Sequence, residues 1–204
     1  PRAERLRYLA GQQIEITIGD QSRIVPCAGC PCEERRLEVH VLCDRETDFD
    51  RQLLAGLKPD TEVTVRGPFG DFVLDDTSER PVVFICSGPG FAPIKSLLQH
   101  ALSLEHAPFI ALYRHLDEDG PYQENLLKSY AGALDHFHYI PFPDGKAPEF
   151  TIGEMIADVS ASLRGNMAAA DVYLAGKDDF VAQARSSLTK AGIPEAQLKS
   201  MSLS

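Results

Sequence analysis

Ser87-Gly88-Pro89-Gly90-Phe91-Ala92-Pro93 is the segment with the clearest chemical potential. It follows a continuous apolar run, Pro81 to Cys86, and opens a helical stretch from Pro93 to Glu105. Two glycines let backbone approach a ligand closely. A helix start aims free N–H groups and a positive dipole end at an anion such as a pyrophosphate. Pro93 in the first turn costs no hydrogen bond. A tight strand-to-helix turn also uses glycine for steric reasons alone, so both readings stand at this point.

A second cluster is Cys27, Cys30 and Cys32, in the pattern C-x-x-C-x-C. Three thiolates in one loop are a ligand set for zinc or an iron–sulfur cluster, with Cys43 or His40 as a fourth ligand. Cys27 and Cys30 could instead form a redox-active disulfide. The plain alternative is that small side chains fill a core. Cys86, at the end of an apolar strand, reads as core. His136 and His138 share a strand face without a third ligand near in sequence. No side chain stands out as a general acid or base.

The elements that position these groups change style near Ser78. Before it, short β-rich runs alternate with turns: Gln13 to Ile18, Arg36 to Leu42, Glu62 to Val65 and Phe72 to Leu74, with a helix over Phe49 to Leu57. Alternation in Leu37-Glu38-Val39-His40-Val41 marks a half-buried strand. This part reads as a small antiparallel, Greek-key-like barrel.

After Ser78, strands and helices alternate strictly. Strands are predicted at Pro81–Cys86, Phe109–Tyr113, His136–Ile140 and Val172–Ala175. Helices are predicted at Pro93–Glu105, Tyr122–Ala133, Ile152–Ser162 and Phe180–Ala191, the last closed by Gly192. Uninterrupted apolar strands mean a parallel sheet covered on both faces, which places ligands beyond the carboxyl ends of its strands. The expected organisation is a β domain over residues 1–78 and a nucleotide-binding α/β domain over 79–204.

Composition sets the outer bounds. The chain has 204 residues, a net charge of -10 and five cysteines. The two halves carry equal shares of the acidity, which argues against nucleic acid and anionic membrane as partners. No apolar run approaches the length of a membrane span. An odd cysteine count without a secretory signal points to a reducing cytoplasm.

Four separated motifs fall in a telling order: Ala10-Gly11-Gln12-Gln13, Gly67-Pro68-Phe69-Gly70-Asp71-Phe72, Gly88 to Pro93, and Val172-Tyr173-Leu174-Ala175-Gly176. With this order the chain resembles the ferredoxin–NADP reductase superfamily over nearly its whole length. Phe91-Ala92-Pro93-Ile94-Lys95-Ser96 looks most like flavin reductases that serve oxygenases and deoxysugar enzymes.

The resemblance implies an oxidoreductase passing electrons from NAD(P)H through FAD or FMN to an iron–sulfur or oxygenase acceptor. Gly88, Gly90 and Pro93 would cradle the dinucleotide pyrophosphate, and Arg114 would border that pocket. Gly67, Pro68 and Gly70 would shape the interdomain cleft, and Arg23 would hold flavin phosphate. Several positions depart from the family pattern. Val25 and Pro26 replace an aromatic and a hydroxyl residue that touch flavin, and Asp48 to Arg51 replaces a phosphate-binding Gly-x-x-Ser. Pro89 replaces a threonine, Ala175 before Gly176 replaces a cysteine, and the terminal aromatic is missing.

Leu116-Asp117-Glu118-Asp119 offers no basic residue for a ribose phosphate, which favours NAD over NADP. The family's first barrel strand would precede Arg5-Leu6-Arg7-Tyr8, so a clipped start or an upstream segment, with a two-iron two-sulfur domain as one candidate, is expected. Erosion at ligand contacts raises a competing expectation, a flavin-less relative acting as a binding or regulatory subunit.

Overall fold

The computed structural model describes residues 6–32, 36–43, 47–59, 61–105, 107–116, 122–142 and 148–203. Its first part is an antiparallel sheet of β1 (Gln13–Ile18), β2 (Gln21–Pro26) and β3 (Thr64–Phe69), in the order β2-β1-β3. Helix α1 (Asp48–Gly56) packs beside β1 and β2. Ile14, Val25 and Cys27 form the small core of this sheet, with Tyr8, Val39 and Val65 against it.

The second part is a parallel sheet of β4 (Val82–Ser87), β5 (Ile110–His115), β6 (Phe137–Phe142), β7 (Asp171–Gly176) and β8 (Leu198–Ser202), in the order β6-β5-β4-β7-β8. Every residue of β4 and of β7 is buried, as strands covered on both faces require. Period-two alternation divides them between two cores. Val82, Phe84 and Cys86 face α2 (Phe91–Ser103) and α3 (Glu124–Ala133), while Val83 and Ile85 face α4 (Pro148–Ser162) and α5 (Asp178–Lys190). Helix α5 ends as expected, with Gly192 at φ +101° and Ile193 N–H donating to the Leu188 carbonyl.

This order creates a switch point. From β4 the chain winds outward through β5 and β6, then returns to the other side of β4 for β7 and β8. The crevice beyond the carboxyl end of β4 is therefore open between diverging connections, the usual ligand position in such sheets.

Two expectations need correction. Arg36 to Leu42 is not a strand; only Val39 makes an isolated bridge, to Cys27. Its alternation serves another partner, because Glu38 reaches Lys95 on α2 and His40 reaches Phe91 and Tyr122. Phe72 to Leu74 is not a strand either, and Phe72, Leu74 and Ala10 pack into the core of the parallel sheet. The strands β2 and β8 went unread in the sequence.

Candidate functional site

Beyond β4, Gly88 adopts φ +46° and starts a tight turn through Gly90 into α2. Gly90 is required by packing: a Cβ there would fall 2.1 Å from the Ala175 carbonyl oxygen. Gly176 is similar, with a Cβ 2.5 Å from Ser87 Oγ. Gly90, Ala175 and Gly176 thus seat the turn on β7, and Pro93 is buried in α2. Phe91 N–H turns back to the Gly88 and Pro89 carbonyls, and Pro89 and Pro93 carry no N–H at all. The turn offers fewer free amides than the sequence suggested. Charge for an anion must come from a side chain.

Arg114 supplies it. This residue, next to last in β5, is only 4% exposed. Its guanidinium carbon lies 3.9 Å from the Phe91 ring centroid and 4.8 Å from that of Tyr122. Nη1 donates to the Tyr122 carbonyl at 2.8 Å. Among the described residues no carboxylate pairs with it. Cation–π contacts hold the group without neutralising it.

Arg114 lines a cavity of about 370 Å³ together with His40, Gly88, Pro89, His115 and Tyr122. No Asp or Glu is among its described lining residues. In a chain of net charge -10, the described lining thus carries Arg114 with no carboxylate opposing it.

A second cavity, of about 510 Å³, lies against β2 and the start of α5. Ile24, Val25, Pro26 and Leu42 form its apolar wall, with Leu203 and Pro89 on the other side. Ile24 is 54% exposed and Leu42 51%, unusual for apolar side chains flanking one opening. His40, Val41, Leu42 and Pro89 line both cavities, which are therefore two lobes of one cleft.

The shared wall is held by a charged network that the sequence reading missed. Lys95, 3% exposed on α2, donates to Glu38 Oε2 at 2.7 Å. Glu38 Oε1 lies 2.9 Å from His40 Nε2, and His40 Nδ1 lies 3.2 Å from Tyr122 Oη. Burial works against the Glu38 carboxylate, but hydrogen bonds from Lys95 and His40 outweigh it and pull its pKa down to about 2. Burial also lowers the His40 pKa, with the Glu38 hydrogen bond opposing. Ser96 Oγ, donating to the Gly29 carbonyl at 2.7 Å and lying 3.3 Å from Gly11 N, ties the same helix to the first sheet. One signal was available: a lysine inside the apolar run Phe91 to Leu98.

Of the other expected residues, Arg23, Val25 and Pro26 line the apolar lobe. Gly67, Pro68 and Gly70 line neither lobe. Gly67 lies against Ile14 and Gln13, and the Gly70 carbonyl accepts from Gln12 Nε2 at 3.0 Å, so they join β3 to β1.

The cysteine expectation is corrected as well. Cys30 is bonded to Cys32, not to Cys27. Cys27 is fully buried with Ile14 and Val25, and burial pushes its thiol up to about 12. Among the described residues no cluster of His, Cys, Asp and Glu is placed to hold a metal. The run Asp117 to Asp119 lies outside the described residues.

No family model matches the chain. It is 24% identical over 201 residues to a CDP-6-deoxy-L-threo-D-glycero-4-hexulose-3-dehydrase reductase of Yersinia pestis, covering 96% of this chain and 59% of that protein. It is 25% identical over 192 residues to an NAD(P)H-flavin reductase of Vibrio harveyi, covering 90% and 81%. The cytochrome P450 reductase GcoB of Amycolatopsis superposes with a TM-score of 0.84 at 23% identity, covering 98% of this chain and 62% of that one. Reductase components of oxygenases are among the further relatives. The chain is thus similar in sequence to flavin reductases and oxygenase reductase components and has the fold of the ferredoxin–NADP reductase superfamily. It spans about three fifths of the first of these relatives, 59% of its length.

The residues fit the groups of that superfamily unevenly. An anionic dinucleotide fits the Arg114 lobe, and a flat aromatic ring fits the apolar lobe beside Val25, Pro26 and Leu203. Among the described residues, a flavin phosphate at the first sheet would compete with an existing ion pair. Arg23 Nη1 is already bonded to Asp50 Oδ1 at 2.8 Å, and the first turn of α1 carries Asp48 and Asp50.

Proposed function

We propose that the chain is an electron-transfer oxidoreductase. It draws electrons from NAD(P)H, NADH preferred, into a flavin ring and onward to an oxygenase or iron–sulfur acceptor. A bound flavin ring supplies the chemistry, accepting a hydride and releasing electrons singly. The chain supplies geometry and charge.

The single observation that carries this reading is the two-lobed cleft at the switch point. Its anion-accepting lobe abuts an apolar lobe across Pro89 and His40 to Leu42. Arg114, fixed between Phe91 and Tyr122, would hold a phosphate of the dinucleotide without needing to be recruited. Gly88 and Pro89 bring backbone alongside it. Ile24, Val25, Pro26 and Leu203 would exclude water from a ring in the other lobe. Residues 1–78 and 79–204 would act as two domains with the cleft between them. The preference for NADH is supported by Asp117, Glu118 and Asp119, whose charges would repel a ribose phosphate.

The relatives support the reaction class: one is an NAD(P)H-flavin reductase and another a cytochrome P450 reductase. Among the described residues no helix is long and apolar enough to cross a membrane. A cytoplasmic site of action is the reading favoured by Cys27, Cys43 and Cys86, which stand outside the Cys30–Cys32 disulfide.

A second reading, a flavin-less binding or regulatory subunit, is favoured by one observation, the Arg23–Asp50 pair. Oxidation of NADH and of NADPH, followed by absorbance with and without added riboflavin or FMN, separates the two. Flavin-dependent turnover, faster with NADH, is the expected result. No turnover with any flavin selects the silent subunit.

A further inference from the structure

We infer that Cys30-Pro31-Cys32 is a two-electron thiol–disulfide exchange site, with Cys32 as the sulfur that meets an incoming thiol. The inference is independent of the nicotinamide and flavin readings above. Cys30 and Cys32 are joined by a disulfide although they stand only two positions apart. A cross-link stabilises a fold according to the loop it closes, and a loop of three residues is nearly the smallest possible. This bond therefore does little as a staple, and it joins no two elements. Cys27, Cys43 and Cys86 remain thiols, the cysteine usage of a reducing compartment, where a disulfide is usually transient and either catalytic or redox-sensing. The residue between the pair is Pro31, whose ring fixes φ. The two sulfurs thus stay neighbours after the bond opens, and it can close again.

The two sulfurs differ in access. Cys30 is 1% exposed, whereas Cys32 is exposed. The backbone leading to Cys30 is anchored on several sides. Ala28 N–H donates to the Glu38 carbonyl at 2.8 Å, and the Gly29 carbonyl accepts from Ser96 Oγ at 2.7 Å and from Tyr8 Oη at 3.3 Å. An attacking thiolate therefore reaches Cys32 Sγ and not Cys30 Sγ. Cys30 Sγ accepts the Cys32 N–H at 3.2 Å, a donor already in place for the negative charge that this sulfur takes on leaving. Cys27 is fully buried and cannot compete.

The exchange has two steps. A thiolate attacks Cys32 Sγ, a new S–S bond forms to the incoming sulfur, and the Cys30–Cys32 bond breaks. Its electron pair leaves on Cys30 Sγ, which takes a proton from water. A second thiolate then attacks the incoming sulfur, releasing the substrate as a disulfide and Cys32 as a thiolate that is protonated in turn. Two thiols are oxidised and the cysteine pair is reduced. A small disulfide reverses both steps.

The intact chain, equilibrated without oxygen in mixtures of glutathione and glutathione disulfide, then blocked with iodoacetamide and digested, tests this by peptide mass. Cys30 and Cys32 are expected to gain label together in one two-electron transition, within the glutathione ratios of a reducing cell, and to lose it when the ratio is reversed. In Cys30→Ser the mixed disulfide cannot reclose, so glutathione is expected to accumulate on Cys32. In Cys32→Ser the remaining Cys30 thiol is expected to react at least about tenfold more slowly than Cys32 does in Cys30→Ser. Should either variant fail to fold, a short iodoacetamide pulse on the reduced natural chain gives the same comparison, with Cys32 labelled first. A pair that opens only in denaturant would overturn the inference, as would equal rates at the two sulfurs. Cys30 and Cys32 labelled at every glutathione ratio would overturn it too.

Discussion

Single residues in this cleft do different work from what their types first suggest. Gly90 looks like a phosphate-binding glycine, but the Ala175 carbonyl occupies the space a side chain would need. Gly90→Ala is expected to cost about 1–3 kcal/mol through overpacking, read as a lower urea midpoint. Gly132→Ala, where nothing lies within 4 Å, is the control and is expected to gain about 0.5–1 kcal/mol from helix propensity. Arg114 carries the charge instead. Arg114→Gln is expected to weaken NADH binding roughly tenfold, the loss of one charge-assisted contact. Flavin affinity, measured by equilibrium dialysis, is expected to stay constant; unchanged NADH binding would remove Arg114 from the site.

At the scale of elements, the segment from Leu37 to Leu42 shows what a sequence conveys and what it withholds. Its alternation was legible and real, since it separates two faces. The partner was not legible, because Glu38 meets Lys95 across 57 positions of sequence. No local pattern encodes that distance. The inner strands β4, β5 and β7 were legible because an unbroken apolar run needs no partner to be recognised. Strand β8 was not, since Leu198-Lys199-Ser200-Met201-Ser202 is a short edge strand with two apolar residues. For the site, the glycine turn and Arg114 were named from sequence, whereas the network behind His40 was not. Glu38→Gln tests that network. It leaves Lys95 buried without its partner and is expected to cost about 3 kcal/mol in stability. Replacing both, as Glu38→Leu with Lys95→Met, is expected to recover most of the loss, because two apolar groups need no pairing.

Over the whole molecule, the same contacts bind the two sheets into one acid-sensitive unit. Glu38 has a pKa lowered from 4.5 to about 2. Its contribution is complete above the unfolded value of 4.5 and is lost as pH falls from there towards 2. His40 is also lowered from 6.5, so its contribution is complete above 6.5 and declines as the solution acidifies below it. Both signs agree, and stability is expected to fall on acidification in two stages. Urea midpoints across this range in Glu38→Gln are expected to lack the lower stage, since no carboxylate remains at that position. A lower stage of full size in the variant would assign it to other groups.

The account as a whole rests on one cleft holding a reduced dinucleotide beside a flavin ring. An anaerobic single-turnover mixture of the chain with riboflavin and one equivalent of NADH measures this most directly. The account predicts that the visible flavin band bleaches while NADH is consumed in equal amount, and that Arg114→Gln slows this at subsaturating NADH. A flavin band that persists after dialysis has shown both molecules bound would contradict it.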